Sequence, residues 1–114
     1  MTANTKHEEQ RHNRRVSIPE HPKIYDAHNG EAIGELVNLS SAGLMAASSE
    51  CISCGSVRQM RIPLIKGEKQ VNILVGAESL WCEDANDSGI FWTGFQIIDI
   101  SPEDQLTLDA IVGN

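Results

Sequence analysis

The residues best suited to chemistry fall in two short runs, Arg11-His12-Asn13-Arg14-Arg15 and Asn38-Leu39-Ser40-Ser41-Ala42-Gly43. Guanidinium groups are permanently charged, planar and bidentate, so the arginines match phosphate oxygens and the Hoogsteen edge of guanine. Arg11 and Arg15 form the outer pair of an Arg-x-x-x-Arg spacing, with Arg14 inside it as a supplementary phosphate contact. Asn38 offers both a carbonyl and an amide to the mixed donor and acceptor edge of guanine, and Ser40 adds a rotatable hydroxyl. In an extended segment Asn38 and Ser40 project from the same face. Gly43 leaves room for a ligand to approach the backbone and permits a turn with positive φ before the next strand. An anion clamp combined with a polar base-reading edge is the chemistry of a nucleotide receptor. An Asn/Ser turn that binds its own backbone accounts for the second run equally simply, and the two roles are compatible.

The order Arg11-x-x-x-Arg15, a gap of about two strands, then Asn38-x-Ser40-x-x-Gly43 resembles the PilZ domain, a bacterial receptor for cyclic di-GMP. Gly94-Phe95-Gln96-Ile97 at the end of a strand run, followed by a short helix, is similar to that family's closing pattern, so the resemblance runs from about Glu8 to Val112. It implies a six-stranded barrel of split-barrel type and cyclic di-GMP as the ligand, bound as one molecule or as a stacked dimer. In that picture Arg11 and Arg15 grip phosphates and guanine, and Asn38, Ser40 and Gly43 form the rim. Trp81 lies in the strand region where some relatives place an aromatic ring beside a guanine, although core or hairpin packing is the simpler reading of a tryptophan in an apolar run. For Trp92, packing near the barrel end is the expectation. The signal would leave through an unidentified protein effector. Diverged relatives instead keep the fold as interaction adaptors with weak or no nucleotide binding.

Other reactive residues carry less. Cys51-Ile52-Ser53-Cys54 has the spacing of half a zinc site, with no second pair to complete it. Three cysteines make an odd count, which argues against a disulfide framework and points to a reducing, cytoplasmic setting. His7, His12 and His21 lie around the arginines and would add pH-sensitive charge there. Ser40 and Ser41 have no partners in a nucleophile motif, and no phosphate-cradling glycine loop is present, so no residue is nominated as catalytic and no cofactor is expected.

The net charge of −7 disfavours a polymeric nucleic-acid binder, which needs a broad basic surface. Five of the nine basic residues (Lys6, Arg11, Arg14, Arg15, Lys23) nevertheless fall in the first 23 positions, and Ala77 to Asn114 holds no Lys or Arg. A local basic patch on an acidic body suits a small anion. No apolar run is long enough for a membrane helix, and the polar start has no signal-peptide core.

The elements that must position these residues read as all-β dominated. Residues 1–10 are expected to form a flexible tail and 11–114 a single domain. Pro19 and Pro22 enforce an extended path into strands at about 23–27, 31–39, 44–46, 56–65, 70–82 and 90–100. Asn29-Gly30 is a type I′ hairpin signal, Gly76 marks a bulge, and Val57, Ile62 and Leu64 are expected in the core. Ser101-Pro102-Glu103-Asp104 starts a helix whose Leu106, Leu108, Ile111 and Val112 pack on the barrel. Six antiparallel strands closed at one end by a short C-terminal helix is the resulting architecture.

Overall fold

The computed structural model describes residues 15–113, so the expected tail and Arg11 and Arg14 lie outside the described residues. Strands β1 (Val16–Ser17), β2 (Lys23–Asp26), β3 (Ala32–Leu39), β4 (Gly43–Ser48), β5 (Val57–Lys66), β6 (Lys69–Asp84) and β7 (Phe91–Ile100) precede helix α1 (Pro102–Val112). The order β3-β2-β5-β6-β7-β4 closes on itself because β4 also pairs with β3, giving an antiparallel six-stranded barrel without free edges. The seventh strand, β1, lies beside the end of β3 beyond β2, with Val16 opposite Leu39 and Ser17 opposite Asn38. Two residues carry no readable period, which is why sequence patterning passes over this strand.

Alternation fills the core. Met60, Ile62 and Leu64 of β5 face Ile73 and Val75 of β6, with Ile24, Leu36, Leu39, Leu44 and Phe95 completing the interior. Val57, expected inside, is 54% exposed because it has the opposite parity to Ile62 and Leu64, and Met60 takes the interior place. Helix α1 begins as expected. Ser101 caps it by accepting a bond from the Asp104 amide at 3.1 Å, Pro102 occupies the first turn, and Gly113 ends it at φ 81°. Leu108 and Val112 are buried against the barrel, whereas Leu106 is 71% exposed and does not pack on it. The Asp104 carboxylate accepts the Leu74 backbone N–H at 3.0 Å, fastening the helix start to β6. No helix among the described residues is long and apolar enough to cross a membrane.

Two local expectations give way to the geometry. The β2–β3 connection is a five-residue loop, not a two-residue type I′ turn. Only Gly30 has positive φ there, and the Asp26 carboxylate accepts the His28 and Asn29 amides at 2.7 and 3.2 Å. The odd cysteine count also misled, because it requires one cysteine to be left over but does not prevent the others from pairing. Cys51, in the β4–β5 loop, is disulfide-bonded to Cys82 of β6 with a Cα–Cα separation of 6.1 Å, and Cys54 is the exposed free thiol.

Candidate functional site

The sequence motifs meet across one row of the barrel wall. Ser17 opposes Asn38, Asn38 opposes Met45, Met45 opposes Gly94, and Gly94 opposes Trp81, so the row crosses β1, β3, β4, β7 and β6. Directly opposed residues share a face. The neighbours Leu39, Leu44 and Phe95 are buried, so this row faces outward.

Two bulges create it. Without the irregularity between Leu36 and Asn38, Asn38 would share the inward parity of buried Leu36; the extra residue Val37 turns its amide out. The shift between Ser79 and Trp81 does the same on β6. Ser79 is buried, Leu80 is the extra residue, and Trp81 emerges 39% exposed instead of entering the core. The bulge at Gly76 was legible in the sequence, but these two were not. Trp81 lies over Gly94, where a Cβ would run into the indole. Trp92 is also exposed and does not pack inside the barrel end.

Arg15 reaches this row through β1. Its guanidinium donates to the Asn38 Oδ1 at 2.9 Å, while the Asn38 Nδ2 lies 4.0 Å from the Met45 Sδ. A planar cation, an amide, a thioether and an indole therefore share one outward face. Arg15 is exposed, so its guanidinium meets solvent as well as Asn38. Met45 belongs to the row but carries no sequence signal of its own.

Ser40 is placed differently from Asn38. It follows β3, is 1% exposed, and its hydroxyl serves the turn: it donates to the Gly43 carbonyl at 3.2 Å and accepts the Gly43 and Ala42 amides at 3.0 and 3.3 Å. The shared face expected for Asn38 and Ser40 is lost because the strand ends at Leu39. Gly43 is the first residue of β4 and has no positive φ. Its need is space, since a Cβ there would stand 2.5 Å from the Phe95 carbonyl oxygen of β7. Two further bonds hold the turn. The Ile97 amide donates to the Ala42 carbonyl at 2.8 Å, and the Gln105 side chain of α1 donates to the Ser41 carbonyl at 3.1 Å. Gln105 is thus a supporting residue that sequence reasoning missed, since 64 positions separate it from Ser41.

Cys51 and Cys54 do not act together, because Cys51 is bonded to Cys82 while the Cys54 thiol donates to the Leu80 carbonyl. No group of three or more metal-ligating side chains is gathered among the described residues. His21 is taken up structurally, its Nδ1 lying 3.1 Å from the Leu36 carbonyl. An apolar groove of about 560 Å³, lined by Ile18, Pro22, Pro63, Leu64, Ile65 and Ile111 among others, includes none of the motif residues.

A closed six-stranded barrel with a C-terminal helix, and a polar row at the end of β3, define the class. The chain matches the PilZ domain over residues 9–114 and belongs to that family. Among solved structures it is similar to the Bacillus subtilis inhibitor of motility MotI/DgrA, at 16% identity and a TM-score of 0.73. That alignment covers 86% of this chain and 47% of the other, so this chain spans about half the length of the B. subtilis protein. It is also similar to the PilZ domain of YcgR from Escherichia coli, solved with c-di-GMP, at 14% identity and a TM-score of 0.66, covering 89% of this chain and 87% of that one. No curated protein matches the sequence.

Proposed function

We propose that this protein is a non-catalytic cytoplasmic receptor for cyclic di-GMP, binding it on the outward row that joins Arg15, Asn38 and Trp81. The observation that carries this reading is the Arg15–Asn38 hydrogen bond, because it brings the end of the arginine motif onto the first residue of the second motif. In the proposed complex Arg15 exchanges its amide partner for a phosphate oxygen or a guanine edge, with Arg11 and Arg14 from the same run adding charge. Asn38 then reads the purine edge, and Trp81 stacks on a base. Ser40 and Gly43 act through the turn, holding Asn38 in place without touching the ligand. The family membership and the c-di-GMP complex of the E. coli relative support the choice of nucleotide. A changed surface at the β1 end would carry the signal to a protein effector.

Calorimetric titration with cyclic di-GMP tests the reading. Arg15→Ala removes a charge-assisted contact and is expected to weaken binding by about 1.5–3 kcal/mol, roughly tenfold to over a hundredfold, with the circular dichroism spectrum unchanged. Unchanged affinity in this variant refutes the clamp. No heat from the wild-type chain at high micromolar ligand would assign it instead to the adaptor class.

A further inference from the structure

We propose that Cys51 and Cys82 form a reversible thiol–disulfide modification site that holds the Leu80 bulge, and through it sets how Trp81 is presented. The segment from Cys51 to Ser56 is fastened to both sides of that bulge. On the near side, the Gly55 amide donates to the Ser79 carbonyl at 2.7 Å, the Ser79 amide donates to the Ser56 carbonyl at 2.9 Å, and the Ser79 hydroxyl donates to the Ser53 carbonyl. At the bulge itself the Cys54 thiol donates to the Leu80 carbonyl at 3.0 Å. Beyond it the covalent bond fastens Cys51 to Cys82, the residue after Trp81. A bulge is one inserted residue, so a strand released on one side can return to regular alternation, which would turn Trp81 inward. The disulfide is the one covalent restraint against that slip among the described residues.

The surroundings suit reversibility. The Cα–Cα separation of 6.1 Å lies within the range that a disulfide spans. Cys51 is exposed and open to an incoming thiolate, whereas Cys82 is half-buried. Thr93, directly opposite Cys82, has a buried hydroxyl with no hydrogen-bond partner. In the bulged register Cys82 shares the face of that hydroxyl, whereas after the slip Cys82 turns outward and Trp81 takes the inward place opposite Thr93.

The exchange balances with a low-molecular-weight disulfide as oxidant. The Cys51 thiolate attacks one sulfur of the small disulfide and displaces a thiolate, forming a mixed disulfide. The Cys82 thiolate then attacks the Cys51 sulfur, closing the protein bond and releasing the second small thiol. Two electrons pass to the small disulfide, and the two thiol protons end on the released thiols. An excess of small thiol runs the sequence backwards, entering at Cys51.

The test uses the full chain in a Trp92→Phe background, equilibrated with defined ratios of oxidised and reduced glutathione. Alkylation and intact mass count free thiols, and indole fluorescence reports on Trp81. One free thiol is expected under oxidation and three under reduction, with closure retained in Cys54→Ser and abolished in Cys51→Ser. Trp81 emission and amide exchange from Ser79 to Cys82 should change with the thiol count. Three alkylated thiols under oxidising conditions, or a closed pair that leaves both Trp81 emission and local exchange unchanged, overturns the proposal. These readouts need no nucleotide. A further arm rests on the receptor reading above: the oxidised form should bind cyclic di-GMP roughly three- to tenfold more tightly, because the indole is already ordered. Absence of binding in both redox states would refute the receptor while leaving the thiol result standing, whereas equal binding in both states would overturn the link from the disulfide to the site.

Discussion

Asn38 and Trp81 owe their outward placement to one inserted backbone residue each, and neither insertion is written in residue type. Val37 and Leu80 are ordinary strand formers. Counting in twos from buried Leu36 and Ser79 would carry Asn38 and Trp81 inward, and only the pairing register with β4 and β7 reverses this. Ser40 shows the converse. Its type suits a base-facing role, yet three hydrogen bonds within the turn occupy its hydroxyl. At this scale the clearest prediction concerns the indole. Trp81→Ala removes a stacking surface and should cost about 1–3 kcal/mol in dinucleotide affinity by calorimetry. The barrel should remain folded, since the side chain lies outside the core.

Strands and turns decide where those side chains stand. The pairing of β1 with β3 delivers Arg15 to Asn38, and α1 reaches back through Gln105 to the turn between β3 and β4. Gly43 sets how closely β4 and β7 approach. Gly43→Ala puts a methyl group 2.5 Å from the Phe95 carbonyl, so the strands must part. The expected destabilisation is about 1–3 kcal/mol, measured by urea unfolding. The β2–β3 loop responds to pH. The Asp26 carboxyl is held below its ordinary value of 3.8, first by the His28 amide, against an opposing desolvation effect, with the Asn29 amide and the charges of His28 and Arg58 assisting. A depressed folded value means that its stabilisation is present above the unfolded value and is lost as pH falls through the folded one. Amide exchange at His28 and Asn29, corrected for intrinsic rates, should therefore lose protection below about pH 4 while protection in β5 persists.

Over the whole molecule, charge separates two kinds of ligand. A chain of net charge −7 repels a polyanion at long range, while a compact dianion can sit at one basic segment. Fluorescence anisotropy with a labelled single-stranded RNA should accordingly show no binding at physiological salt, and micromolar retention of the RNA would contradict this reading. Barrel closure has a second consequence. Because β4 returns to β3, the row from Ser17 to Trp81 becomes one continuous wall built from residues 64 positions apart in sequence.

Much of this was present in the chain itself. Ile62 and Leu64, two positions apart, specify a strand with one buried face, and Ser101-Pro102 specifies a helix start, because both effects act over a few neighbouring residues. The motif residues likewise state by type which donors and acceptors they carry. Tertiary structure alone decided which of them face solvent, which cysteines meet, and that Gly43 and Gly94 are seats for a carbonyl and an indole. Those outcomes depend on register and on contacts between distant strands. A single inserted residue reverses a side chain's direction without changing the composition around it.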